Sequence, residues 1–500
     1  MQINLDPKER ISEDDLRRGL NYLKIDGIFS QSLGILISGT FIVPLLLLMG
    51  ATSFHVGLLF SMASLASFSQ LLALDLMNKF HGRKKVAVVF STLARCDLLV
   101  LSIILILGVA VNVTTILIGL SFFYLLANIS SCAFNYWMLE FVPKSIRGRY
   151  FASRTRISLF IGSVIGLIVA VCIESITGGS SGVSYSFVIL IASILGLLGV
   201  YFLAKIPEPK FNGSEPLSKR FLGEFLKIRD LRKHFEAIFF LYLAINLSAP
   251  FFVYYMLTRL KLTISMVFIV TMIGQFCTIL LLPKWGTLID KYGVKPVLRF
   301  STYVVILTLL IWPFTTLPEK HIFSIPLLLI IYILMGSTMG GLNLSSNLIA
   351  YNLSKGKRVT YGLSLNSISI SLGSAVGSFL GALLSIPASY AELSMTFNIY
   401  TASKITIFII DIKGLDFIFI TSALLGAVSL SLLRSYKIET EIDEDKKYTE
   451  LVIGFKRYIR GSMDHILVVV SRKTRNLKHM ISIKKTRYSV SERKVSAKPP

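Results

Sequence analysis

The chain has 500 residues, 53% of them apolar and only 16% charged, with a mean hydropathy of +0.69. Ordinary soluble domains carry about 25% charged residues, so this composition excludes one and places the chain in a bilayer. A net charge of +24 would suit nucleic acid, yet the cations are distributed as in a membrane protein, and no nucleic-acid partner is expected.

Residues 1–27 are a polar tail whose ISEDDLRRGLNYL stretch has helical spacing and is expected to lie along the membrane surface. A spanning helix needs about 20 apolar residues, because lipid offers no partner to a free peptide group. Twelve such runs follow, at 28–50, 54–77, 86–109, 114–138, 157–177, 183–205, 236–258, 264–288, 296–317, 322–347, 364–387 and 415–434. They divide into an N-terminal six-helix bundle (28–205), a linker (206–235) and a C-terminal six-helix bundle (236–434), followed by a basic tail (435–500). Of the 52 Lys and Arg, five lie in odd-numbered loops (Arg259, Lys261, Lys320, Lys404, Lys413) and Arg95 lies inside run three. The rest border the even loops or sit in the linker and tails. The positive-inside rule therefore puts both termini in the cytoplasm. The first run is a full span behind a charged segment, so no cleavable signal peptide is expected. Cys96, Cys132, Cys172 and Cys277 fall within spans and read as buried free thiols, with no metal site or disulfide framework spelled out.

Run one carries Gln31, Ser32, Ser38, Thr40 and Pro44, more polar atoms than a lipid-facing helix tolerates, so it should face water or another helix. Run two ends at Asp75. Run three contains Arg95 and Asp97, whose insertion costs about 2.5–3.5 kcal/mol each on translocon scales, so each should have a partner or a water path. Asp75 and Glu140 are the candidate partners of Arg95. A structural ion pair is the plainer reading; a coupling or substrate-binding pair is the other. Run four ends in NISSCAFNYWMLE, offering Asn128, Asn135 and Glu140.

Glycines at four-residue spacing in run five (Gly162, Gly166) and run eleven (Gly373, Gly377, Gly381) read as close helix contacts. Run seven supplies Tyr242, Asn246 and Tyr254, and run ten Asn343 and Asn347. Any one of these amides is more simply an interhelical hydrogen bond; the cluster is the functional signal. Residues 388–414 alternate like two short strands, so an external hairpin is expected. Asn112, in NVT, is formally a glycosylation acceptor but lies close to the lipid. Beyond 435, Tyr448, Leu451, Val452, Phe455, Tyr458 and Ile459 recur at helical spacing among Lys456, Arg457 and Arg460. That pattern suits an interfacial helix on anionic lipid headgroups.

Gly286–Lys295 reads GTLIDKYGVK: an apolar helix ends in a carboxylate, turns on glycine and restarts after cations. This spacing resembles the signature loop of the major facilitator superfamily. At one ungapped offset of 211, Gly293, Lys295, Arg358, Tyr361, Gly373 and Gly377 fall on Gly82, Lys84, Arg147, Tyr150, Gly162 and Gly166, which argues for a duplicated half-protein. The PxxxRGRY stretch ending at Tyr150 also resembles a turn common in that superfamily. The first-half loop departs from the pattern: Lys79 stands where the acid belongs, and Asp75 lies one helical turn earlier. Run five lacks the proline typical of the antiporter branch.

The resemblance implies an all-α fold of two pseudo-symmetric six-helix bundles in the cell membrane, with spans one, four, seven and ten around the solute. Gln31, Asn128, Asn135, Asn246, Tyr254, Asn343 and Asn347 are then the cavity candidates. Arg95, Asp97 and Glu140 are candidates for coupling, with protons as the partner considered. Asp290, with Lys291, would latch onto Arg147 or Arg154 at the start of span five, and Asp75 would do the equivalent work in the first half. The expected function is secondary active transport of a small-molecule solute by alternating access, without cofactor or metal. A transporter-fold sensor without net transport is the alternative. A membrane enzyme is the weaker one: the six histidines are scattered and no nucleotide loop exists.

Overall fold

A computed structural model describes residues 7, 11–108, 112–179, 181–210, 228–316, 321–353, 359–400, 404–436 and 445–454. Twelve helical spans run through it: Glu13–Leu48, Ser53–Lys79, Arg83–Ile106, Val113–Phe141, Arg147–Ile176, Gly182–Ala204, Arg229–Thr258, Ile264–Tyr292, Val294–Thr316, Ser324–Leu353, Leu365–Ala388 and Asp416–Arg434. They are referred to here as spans one to twelve, and the face that carries the tails and linker is the tail face.

The two halves repeat each other in detail. Span one breaks between Leu36 and Gly39, with Ser38 extended, and span seven breaks between Ser248 and Phe251 at Ala249–Pro250. Ser38 and Ala249 are 211 residues apart, the same offset the sequence repeat uses. Pro250 cannot donate to the carbonyl four residues back, which ends the first segment of span seven.

Glycines set the closest helix contacts. A Cβ at Gly373, Gly377 or Gly381 would lie 2.4 Å from the carbonyl oxygen of Phe239, Leu243 or Leu247 respectively. Span eleven therefore rides directly on the backbone of span seven, turn after turn. Gly162 in span five meets Ile35 and the backbone of Ser32 in span one, the equivalent pair in the other half. The packing reading of these glycines holds.

Two expectations about the ends need correction. The N-terminal helix does not lie along the membrane surface; it runs unbroken from Glu13 to Leu36 as the start of span one. Ser12 caps it by accepting from Asp15 N at 3.1 Å, and Gly19 and Leu23 sit on a packed face, Gly19 against Phe141. Tyr150 Oη bonds to Leu20 O at 2.5 Å. Small and apolar residues on one face let this helix pack on spans four and five, which a surface helix could not do. At the other end, residues 445–454 are helical, but Leu451 is 3% exposed and clusters with Trp285, Ile289 and Val297 of the C-terminal half. Protein covers that apolar position. The remainder of the expected amphipathic helix lies outside the described residues.

The expected hairpin is present: β1 (Glu392–Tyr400) pairs antiparallel with β2 (Lys404–Lys413), with a bulge at Phe397/Asn398. At its base, Lys413 Nζ reaches Glu392 and Asp411, each at 2.7 Å. The fully buried Asp416 accepts from Lys413 N at 3.1 Å and Tyr255 Oη at 2.8 Å. Asn112 caps span four by accepting at Oδ1 from Thr115 N at 2.8 Å. The four cysteines are free; Cys96 and Cys172 are exposed on their helices, not buried as expected.

Candidate functional site

The halves meet on the hairpin side. Between spans two and eleven, a Cβ at Gly57 would lie 2.7 Å from Ala382, and Ser61 Oγ donates to Ala375 O at 3.3 Å. Between spans five and eight, Gly166 abuts the Phe268 ring, Ser163 Oγ lies 3.0 Å from Met272 Sδ, and Ser265 N donates to Glu174 Oε2 at 3.3 Å. These are pseudo-equivalent pairs of spans, so the closure itself has the symmetry of the duplication. Tyr254, half-buried, packs against the cores of both halves.

Nearer the tail face, spans two and eleven border a cavity of about 210 Å³ together with span four. Ser67, Gln70, Asn135, Tyr136, Ser367 and Ser371 bring polar atoms to its wall; Phe68, Leu71, Leu74, Cys132 and Ile368 bring apolar surface. Of the expected cavity residues only Asn135 lines it. Asn128 lies one layer back, accepting from Gln70 Nε2 at 3.0 Å. Gln31 is half-buried beside Gly162.

Gln31, Asn246, Tyr254, Asn343 and Asn347, expected around the solute, do not line this particular cavity. Several polar side chains of spans seven and ten bond to each other or to span eleven. Tyr242 Oη donates to Asn343 Oδ1, Asn246 Nδ2 to Ser374 Oγ at 3.0 Å, and Asn366 Nδ2 to Asn347 Oδ1 at 3.1 Å. Asn343 and Asn347 nonetheless remain exposed, and Tyr242 and Asn246 are half-buried. Spans two and eleven supply the wall instead. Gln70, Ser367 and Ser371 carried no sequence signal beyond being polar within apolar runs.

The charges also rearrange. Glu140 does not meet Arg95; it pairs with Arg83 at 2.6 Å, and Arg83 Nε reaches Glu208 at 3.4 Å. Glu208, in the linker, also accepts from the amides of Arg83 (2.7 Å) and Lys84 (3.2 Å) at the start of span three. Burial pushes its carboxyl above the ordinary range despite those bonds. Asp75 is exposed and is not the partner of Arg95 either. Arg95 instead lies inside the first bundle, with Nη1 donating to Ser91 O at 3.1 Å and its stem against Gly196 of span six. The acid within its electrostatic reach is Asp26, which the sequence reading left in the tail. Asp26 is 3% exposed and pairs with Arg154 of span five at 3.0 Å. Arg154 Nε also donates to Leu23 O at 2.9 Å, and the guanidinium lies over Phe134. Asp97 is half-buried, with Oδ2 lacking a hydrogen-bond partner among the described residues.

The expected latch is open. Asp290 and Lys291 are exposed, Arg147 donates to the carbonyls of Leu139 and Val142, and Arg154 is held by Asp26. The loop itself is tight: Gly293 has φ +91° between the two helices. Lys295, 1% exposed, donates to Tyr436 O just past span twelve, and Arg299 pairs with Asp445 at 2.7 Å. Among the described residues, His, Cys, Asp and Glu form no group of three that could hold a metal.

Residues 235–461 match the family profile of the Major Facilitator Superfamily. No curated protein matches the sequence. Among solved structures, a mutant of the nucleoside transporter NupG superposes with a TM-score of 0.64 at 14% identity, covering 84% of this chain and 100% of that one. NupG itself gives 0.62 at 15% identity, with coverage of 84% and 100%. A bacterial homolog of the human lysosomal transporter Spinster, in an inward-facing and unoccupied conformation, gives 0.58 at 12% identity, covering 85% and 97%. The class so defined is a multi-pass membrane protein with the fold of the major facilitator transporters. The resemblance carried by Gly286–Lys295 is thereby confirmed, since the profile spans that loop.

Proposed function

We propose that the protein is a secondary active transporter that moves a small solute across the cell membrane by alternating access. One observation carries this reading. The halves are closed on the hairpin side by two pseudo-equivalent pairs of spans, while a polar-lined cavity stands between spans two, four and eleven nearer the tail face. A duplicated fold closed at one end can close at the other by exchanging the roles of its repeats. With the tail face cytoplasmic, this is the inward-facing state, in which an open Asp290 latch is expected. The fold shared with NupG and the Spinster homolog supports a small-solute carrier.

Proton coupling is assigned to Asp26 and Arg154. A buried carboxylate joined to one guanidinium can trade that partner for a proton, and the pair ties the first span to the fifth. Anionic lipid headgroups are the partner proposed for the basic tail.

The test replaces the four native cysteines with serine and introduces Ser163→Cys with Met272→Cys, whose side chains already touch between spans five and eight. Oxidative crosslinking should abolish solute uptake into proteoliposomes under a proton gradient, and reduction should restore it. Full uptake while crosslinked would refute alternating access. Saturable solute binding with no flux in either state would favour a sensor.

A further inference from the structure

Among the described residues, the cavity wall between spans two, four and eleven contains no ionised side chain. We propose that it takes a net-uncharged, polyhydroxyl solute with an apolar ring face, a carbohydrate-like compound. This deepens the transport reading by naming the solute class.

Charge is decided first. An ion entering a site within the bilayer loses its hydration and needs a fixed counter-charge nearby. In the first bundle, Asp26 is engaged by Arg154 at 3.0 Å and Glu140 by Arg83 at 2.6 Å. Nothing in the wall replaces them.

Hydrogen-bonding polarity is decided next. Ser67 Oγ donates its proton to Ser64 O at 2.6 Å, and Ser367 Oγ donates to Leu363 O at 3.1 Å. Each hydroxyl proton is committed to its own helix, so each oxygen faces the cavity as an acceptor. Gln70 spends an N–H on Asn128 at 3.0 Å, which leaves its carbonyl oxygen free to accept. With the second N–H of Gln70, the Asn135 amide and the Tyr136 hydroxyl, the wall presents uncharged donors as well as acceptors, and the matching solute carries hydroxyls, which do both, without being an ion. Phe68, Leu71 and Ile368 supply the apolar side that a ring's C–H face requires. The acid nearest this wall in sequence is Asp75, exposed and one residue beyond Leu74. It is therefore the residue through which an amine could be admitted.

Equilibrium binding to the purified full-length protein tests this with matched sets: uncharged hexoses, pentoses and ribonucleosides, each beside an amine-bearing and a carboxylate-bearing counterpart. At least one uncharged compound should bind saturably, with its charged counterparts at least about tenfold weaker. Gln70→Leu and Ser367→Ala should each weaken it about tenfold, the effect of one unmatched hydrogen bond. Gln70→Glu, which keeps the side chain's shape, should instead strengthen the amine-bearing counterpart and so guards against misfolding as the cause of any loss. The proposal is overturned if a charged member binds best, if Asp75→Asn abolishes that binding, if both wall variants bind normally, or if no polyhydroxyl compound binds. Proteoliposome flux separates the two readings. A sugar bound but never carried would overturn transport and leave the solute class standing, whereas a carried ion with no sugar binding would do the reverse.

Discussion

Arg154→Gln tests the buried pair that the coupling assignment rests on. The substitution removes the 3.0 Å contact to Asp26 and the 2.9 Å bond to Leu23 O, and leaves a carboxylate whose side chain is 5% exposed without its guanidinium. Breaking a buried ion pair from one side costs about 3–5 kcal/mol. The lower end applies here, because the Arg154 side chain is 17% exposed, Ser30 still donates to Asp26 at 3.1 Å, and the carboxylate can take up a proton. Asp26→Asn should cost less, since an amide keeps a hydrogen bond to Arg154. The double variant should be more stable than the sum of the singles by about 2 kcal/mol. Reversible unfolding in mixed micelles measures all four proteins. In proteoliposomes, Asp26→Asn should retain solute exchange at equal concentrations yet lose accumulation driven by a proton gradient. Strictly additive stabilities would refute the pairing. Gradient-driven accumulation by Asp26→Asn would refute the coupling role.

Three further outcomes are expected. Gly377→Leu should prevent assembly of span eleven on span seven, because even a Cβ there lies 2.4 Å from Leu243 O, whereas Gly148→Ala, with open space around it, should leave yield and thermal stability unchanged; expression and melting of both variants check this. Gly293→Ala should cost about 1–3 kcal/mol because φ +91° with ψ 164° is a conformation open essentially to glycine alone, while Gly82→Ala, at an extended φ of −175°, carries no such penalty, and comparative unfolding of the two measures the difference. Glu208 titrates above its ordinary value in the folded chain, so the folded state holds the extra proton between the two values and its stability falls as pH rises through that window. The melting temperature of the native protein relative to Glu208→Gln should therefore rise as pH is lowered toward the unfolded value; a pH-independent difference would contradict it.

Much of this protein is legible from one sequence because lipid leaves few choices. Each long apolar run must be a helix, and the distribution of Lys and Arg orders those runs across the membrane. The 211-residue offset goes further: it predicts that the halves share breaks and close contacts, and Ser38 with Ala249 and Gly162 with Gly373 show it. The glycine spacing in run eleven is likewise a local pattern with a local consequence.

Pairings between distant side chains are another matter. Asp26 follows a charged segment and looks like tail, yet continuity of the helix from Glu13 carries it into the bundle, where Arg154 lies 128 positions further along the chain. Glu140 is a candidate partner of Arg95 by sequence, yet the packing of spans three and four sets it against Arg83 at the start of span three, and Arg95 lies more than three turns further in. The polar side chains of spans seven and ten do form a cluster, but its partners, Asn343 for Tyr242 and Asn366 of span eleven for Asn347, come only with the packing. Composition and periodicity fix which segments cross the bilayer, since burying an unpaired backbone costs more than any side chain can repay. Which polar groups face water is decided by small differences among many interhelical contacts, and those exist only once the helices are assembled.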